Sequence, residues 1–254
     1  MLTLITNIYN EASLLLADWL VWHKRFFDHL IVLDYNSDDG SIELIKTIWS
    51  TAEIHSTEEE FGAWANDEKI MQLERTVQGW KMALNTTEYL LTDPKPYMDV
   101  YKGYAIGCRS VIMVDGVEEH NKTLVDSPLV FQRHNGYLDN PDTPSSRRWR
   151  FMHNFADGAY HVGRHYTNHP HTHEPDMLIK WMGFSPYPQI KERKLQIQNK
   201  MPISDKKAGL GGQHVTDPAA LDREYERLRK LSSNLLDNDL YRTTLEALGY
   251  TCNL

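Results

Sequence analysis

The 254-residue sequence is poor in several features that would assign it quickly. Its two cysteines, Cys108 and Cys252, form neither a CxxC pair nor a repeated spacing. That excludes a disulfide framework and a cysteine-based zinc site, and points to a reducing, cytoplasmic setting. A basic excess is lacking too: 27 Lys and Arg stand against 35 Asp and Glu, for a formal charge of −8. A phosphate-backbone binder needs a broad basic surface, so nucleic acid is not expected as a partner. Nor is there a long apolar run. Residues 12–22 are bounded or interrupted by Glu11, Asp18 and His23, well short of the roughly 20 apolar residues of a membrane span, and no signal peptide is read. With 41% apolar residues, the chain fits one large domain with a substantial core.

The patterning that is present alternates strands with helices. Residues 2–6 read as a buried strand, 7–10 as a turn and 13–27 as a stretch of helical period. Residues 29–34 read as a second strand, ended by 36–40, after which Ser41 is placed to cap a helix running to about Trp49. Residues 52–56 make a short third strand, and 64–79 a helix with Ile70, Leu73 and Val77 on one face. Residues 81–91 make a fourth strand. Such units imply right-handed crossovers and a parallel sheet, with helices on both faces and a ligand crevice at the strands' carboxyl ends. The loops after Thr6, Leu33 and Leu84 should then line one site.

Residues 93–147 change to short β-like pieces, such as 110–114 and 129–133, read as an elaboration of the same domain. Asp217-Pro218 opens a C-terminal helix with Leu221, Tyr225, Leu228 and Leu235 on one face. That face packs on the body or makes a homodimer contact. The chain divides into residues 1–92, an irregular middle (93–215) and a C-terminal helical segment (216–254).

Three motifs carry a resemblance. Asn10-Glu11, the loop Asp34-Tyr35-Asn36-Ser37-Asp38-Asp39-Gly40, and the strand end Leu84-Asn85-Thr86-Thr87-Glu88-Tyr89 fall in order on consecutive βα units. Together they resemble glycosyltransferase family 2, in the subgroup with an "LDxDEF"-type strand end. The resemblance is firmest over about the first 90 residues, and it implies a nucleotide-binding half (1–92) and an acceptor side with lid loops (93–215). It implies a GT-A type, Rossmann-like fold and transfer of a sugar from a nucleotide-diphosphate sugar to a hydroxyl of a glycan or other acceptor, with inversion. It also implies nucleotide contacts from Thr6, Tyr9, Glu11 and Asp34, from Arg75 on the helix before the fourth strand, and from Asn85 and Thr87. The chemistry agrees, because a carboxylate ending a parallel strand can accept from ribose or base donors and an aromatic ring beside it offers a stacking face. The plainer reading is that Asp34 and Asp38 shape a turn and that Arg75 is a solvated charge.

Where the family carries Asp-x-Asp for a divalent ion, this chain has Asn85-Thr86-Thr87. Amide and hydroxyl oxygens are weak ligands for Mn²⁺ or Mg²⁺, so a metal requirement is doubtful. Either Glu88 holds an ion, with His165 or His173 completing the shell as the resemblance implies, or cationic side chains neutralise the leaving diphosphate, or catalysis is lost. Arg193, Lys194, Lys206 and Lys207, followed by the glycine-rich stretch 209–214, are the candidate phosphate-binding cations; a solvated helix face and an ordinary loop are the alternative. The histidine-rich stretch 163–174 reads as a loop, or as a transition-metal site if His169, His171 and His173 share a side. The candidates for general base are Asp157, His165 and Glu174. Asn85-Thr86-Thr87 and Asn121-Lys122-Thr123 match the N-glycosylation pattern by chance. The competing reading of the whole chain is a nucleotide-sugar or glycan-binding module that has lost catalysis; a histidine-based hydrolase ranks last.

Overall fold

A computed structural model describes residues 1–120, 122, 124–139, 148–210 and 217–251. The expected α/β architecture is present. Strands β1 (Leu2–Ile8), β2 (His29–Asp34), β3 (Glu53–Ser56) and β4 (Trp80–Ala83) are parallel neighbours in the order β3-β2-β1-β4, joined by helices α1 (Leu16–His23), α2 (Ser41–Ile48) and α3 (Ala63–Thr76). β1 is buried along its whole length, as a parallel strand covered on both faces must be. Its Leu2, Leu4 and Ile8 join the main core with Trp19, Leu20 and Met82, whereas Ile5 faces the other side, with Ile31 and Leu33, under Ile70 of α3.

Beyond β4 the sheet turns mostly antiparallel. β8 (Trp149–His153) pairs with β4 and with β6 (Ala105–Val114), and β7 (Asn135–Leu138) and β10 (Ser233–Asn234) continue outward from β6. The fourth strand, read as continuous over 81–91, breaks after Ala83. Glu88 N–H donates to the Asn85 carbonyl (2.9 Å), and the Glu88 carboxylate accepts from Asn85 N–H (2.9 Å). This turn diverts the chain into β5 (Glu88–Leu90), which pairs antiparallel with the long β9 (His171–Phe184). β9 also runs parallel to β6.

Three other local expectations are corrected. Ser41 is the first residue of α2 and does not cap it: Gly40 occupies the cap position at φ +90°, and Asp39 accepts from both Ser41 N–H (3.0 Å) and its hydroxyl (2.6 Å). Residues 129–133 hold a short 3₁₀ turn, entered through Pro128 and tied down by Leu129 N–H donating to Asp18. The C-terminal helix α8 (Pro218–Arg229), capped by Asp217, buries Leu221, Tyr225 and Leu228 but stops before Leu235. The side chains of Asn234 and Asn238 then accept from the backbone of a 3₁₀ turn and of α9 (Asp239–Ala247), because Asn competes with a continuing helix for its N–H groups. α4 (Lys95–Val100), α5 (Val117–His120), α6 (Tyr187–Lys200) and α7 (Ile203–Lys207) complete the described elements. Among the described residues, no helix is long and apolar enough to cross a membrane.

Candidate functional site

A cleft of about 480 Å³ opens at the carboxyl ends of β1 and β4, between α3 and α6, with the 162–165 segment and β9 as its other walls. Its size is that of a small-molecule site. Its lining is strongly cationic, with Arg148, Arg150, Arg164, Arg193 and Lys194.

Glu88 organises the floor. Arg150 grips it bidentately (Nε to Oε2 2.8 Å, Nη2 to Oε1 2.7 Å), and Arg148 Nη2 donates to Oε1 at 3.0 Å. Burial alone would raise its pKa, yet Arg150 and Arg148 hold the carboxyl well below the usual carboxylate range. Two further pairs flank it. Asp67 of α3 holds Arg164 at 2.7 Å, and Glu11 holds Arg193 at 2.7 Å. Arg164 Nη2 also donates to Asn85 Oδ1 (2.7 Å), and Arg193 Nη2 to Thr86 Oγ1 (3.2 Å).

Lys194 is different. It is 4% exposed and its described contacts are the ring faces of Phe184 (4.7 Å) and Trp181 (5.7 Å), with no carboxylate in ion-pair range among the described residues. Burial, then repulsion from Arg148 and Arg193, pushes its pKa down to about 7. Arg148 lies over the Trp181 ring at 3.6 Å, and its buried Nε–H has no hydrogen-bond partner.

Of the residues singled out from sequence, Asn85, Thr87, His165, Arg193 and Lys194 line this cleft, with Glu88 and Glu11 directly behind it. The others lie apart from the described lining. Thr6 is buried on β1, and the Tyr9 ring carries the Lys200 ammonium at 4.5 Å. Asp34 accepts from Ser37 N–H (3.1 Å) and the Ser56 hydroxyl (3.3 Å), so its carboxylate is engaged within its own turn. Arg75 and Asp157 pair with each other at 2.7 Å, with Arg75 mostly exposed. Glu174 sits on β9 opposite Cys108, Lys207 is exposed on α7, and Lys206 is also on α7. Gly209 and Leu210 reach the cleft; residues 211–216, Asn121, Thr123 and Cys252 lie outside the described residues. The three candidate bases are therefore not brought together.

His165 stands between two guanidiniums. Its Nε2 lies 3.1 Å from Arg148 Nη1, and its Nδ1 lies 2.9 Å from Arg150 Nη1 and 3.3 Å from the Trp149 carbonyl. Burial, then Arg150 and Arg148, push its pKa well below the ordinary imidazole value. The rest of the histidine stretch is used in packing: His169 stacks on Phe155 (3.9 Å) and His173 on Trp149 (4.1 Å).

The side-chain oxygens of Asn85, Thr86 and Glu88 each face a guanidinium, and a hard cation would have to sit against those like charges to reach them. Among the described residues, no three His, Cys, Asp or Glu are grouped to hold a metal.

The sequence reading missed Arg148, Arg150, Arg164 and Trp181. The available signal was Arg148-Trp149-Arg150, whose period of two puts both arginines on one side of an extended segment.

No family model and no curated protein matches the sequence. Solved structures do. TarS 1–349 from S. aureus is 12% identical, with a TM-score of 0.42 over 78% of this chain, which spans 64% of that structure. HddC from Yersinia pseudotuberculosis is 10% identical, with a TM-score of 0.43 over 76% of this chain and 99% of its own. Glucosyl-3-phosphoglycerate synthase from Mycobacterium tuberculosis, in complex with Mn²⁺, uridine diphosphate and glucosyl-3-phosphoglycerate, is 15% identical, with a TM-score of 0.31 over 44% of each chain. These likenesses assign no residue a role.

Proposed function

We propose that the cleft binds a nucleotide-diphosphate sugar and passes the sugar to an acceptor hydroxyl by a single displacement with inversion. The observation that carries this reading is the Arg148–Lys194 pair. These two cations line the cleft beside the Asn85–Glu88 turn; among the described residues the Arg148 guanidinium is ion-paired with Glu88, which Arg150 shares, and Lys194 has no carboxylate in ion-pair range. A diphosphate leaving group needs positive charge fixed where its own charge develops. In this reading Arg148 and Lys194 supply it, with Arg164 and Arg193 held beside them by Asp67 and Glu11, and no divalent ion is required.

Among the three candidate bases, His165 is the one in the cleft lining, and it is the proposed acceptor of the incoming hydroxyl's proton. Asp34, Thr6, Tyr9 and Arg75 are then assigned to the fold and not to the nucleotide.

A second reading, binding without turnover, is favoured by one observation. Every carboxylate lining or backing the described cleft is already ion-paired: Glu88, Asp67 and Glu11. A thermal-shift screen of nucleoside diphosphates and their sugars, followed by release of nucleoside diphosphate with candidate acceptors, separates the two. Binding with release supports transfer, binding without release supports the module, and no nucleotide binding refutes both.

A further inference from the structure

Two cations placed side by side in a low-dielectric cleft repel each other. Something must hold them there, and a carboxylate would cancel the charge that an anionic ligand needs. Trp181 meets this requirement in another way. The face of an indole attracts a cation by its quadrupole without neutralising it.

Its location follows from the sheet register. Trp181 on β9 is directly opposite Glu88 on β5 and neighbours Ile112 on β6. Cross-strand partners project to the same face, so ring and carboxylate stand side by side. Arg148 bridges them, giving Nη2 to Glu88 and laying its guanidinium on the ring. Lys194 reaches the same ring from α6, with Phe184 as a second support. The sequence makes room for this at Gly183, where a Cβ would come within 2.7 Å of the Trp181 ring.

We propose that Trp181 is a positioning residue, whose ring holds Arg148 and Lys194 in the cleft as a charged seat for two linked phosphates. The inference rests on the nucleotide-sugar reading for its ligand, but inorganic pyrophosphate probes the seat by itself. A tryptophan that merely fills space has no preference for an aromatic replacement and no energetic link to Lys194.

The test is calorimetric titration of pyrophosphate into the full chain and into Trp181→Phe, Trp181→Leu, Lys194→Met and the Trp181→Leu/Lys194→Met double variant, with melting temperatures alongside. The expected result is a loss of about tenfold in affinity for Trp181→Leu, the scale of one to two lost cation–ring contacts. Most of the affinity should be retained in Trp181→Phe, and the Trp181→Leu loss should shrink in the Lys194→Met background. If Trp181→Leu fails to fold, Gly183→Ala, which displaces the ring while keeping it, should give the same loss. No pyrophosphate binding by the unaltered chain, equal losses for Phe and Leu, or simple additivity with Lys194→Met would overturn the proposal. Pyrophosphate binding with the expected pattern, but no nucleoside diphosphate bound more tightly than pyrophosphate, would leave the seat standing and remove the nucleotide-sugar reading.

Discussion

Ligand binding in this cleft should consume a proton, and Lys194 sets the amount. With its pKa pushed to about 7 by burial and then by Arg148 and Arg193, only about one Lys194 in eleven is charged at pH 8 in the free protein. Of the other titratable groups at the cleft, Glu88 is held well below the usual carboxylate range by Arg150 and Arg148, and His165 is pushed well below the ordinary imidazole value by burial and the same two arginines. Glu224 on α8 pulls weakly in the opposite direction. A bound diphosphate supplies the missing counter-charge and returns Lys194 toward its ordinary value of about 10.5. Each bound nucleotide sugar, whose diphosphate carries no proton in this range, should then take up about 0.9 proton at pH 8 and about 0.1 at pH 6. The sign follows from linkage. Because binding raises the pKa, affinity is full below pH 7 and falls about tenfold per unit above it. Full restoration over about 3.5 units bounds the interaction at roughly 5 kcal/mol. Titrations at pH 8 in buffers of different ionisation enthalpy read the uptake directly, and Lys194→Met should abolish it. No uptake in the unaltered chain, or uptake that persists in Lys194→Met, would refute the argument.

Glu88→Gln should cost about 3–5 kcal/mol in denaturant melts, because it strands Arg148 and Arg150 without their shared counter-charge; a loss under 1 kcal/mol would show that the pairing is not structural. Asp34→Ala should lower stability by about 1–2 kcal/mol through its turn and leave nucleotide affinity within about twofold, with a tenfold loss by calorimetry assigning Asp34 to the ligand instead. EDTA should leave nucleotide binding and transfer unchanged, since guanidiniums already face the oxygens a metal would need; inactivation reversed by Mn²⁺ would contradict this. Lys180, fully buried, donates to the Val130 and Arg133 carbonyls and to the Tyr241 hydroxyl. Lys180→Met should therefore cost on the order of 3 kcal/mol and loosen α9, read as lost amide protection from residue 239 onward.

The βα units were legible because their signals are local. The apolar run of β2 ends at an Asp-rich turn, and the face of Ile70 and Leu73 repeats at helical period, so neither needs distant partners to be recognised. The break at Asn85 was harder to see. Residues 81–91 look like one strand until Glu88 is known to face arginines 60 and 62 residues away. The candidate site was legible at Asn85, Thr87, Arg193 and Lys194 but not in its cations from 148–164. Those depend on β8 inserting antiparallel between β4 and β6, a long-range register with no local signature. Asp34 illustrates the opposite error, since a carboxylate at a strand end has the same sequence appearance whether it binds a ligand or its own turn.

The Glu11–Arg193 pair joins residues 182 apart, and this bears on the order in which the chain can become native. Glu11 and Glu88 emerge early in synthesis, on the half that can build β1 to β4, yet their counter-charges arrive only with residues 148, 150 and 193. Until then, closing the early half around bare carboxylates would carry the full desolvation penalty. The nascent N-terminal half is thus kept from settling into a dry, finished state before α6 docks. A nascent chain halted before residue 193 should stay protease-sensitive around the Asn85–Glu88 turn and become resistant once Arg193 has cleared the ribosome. The charges of the cleft would then also time the completion of the fold.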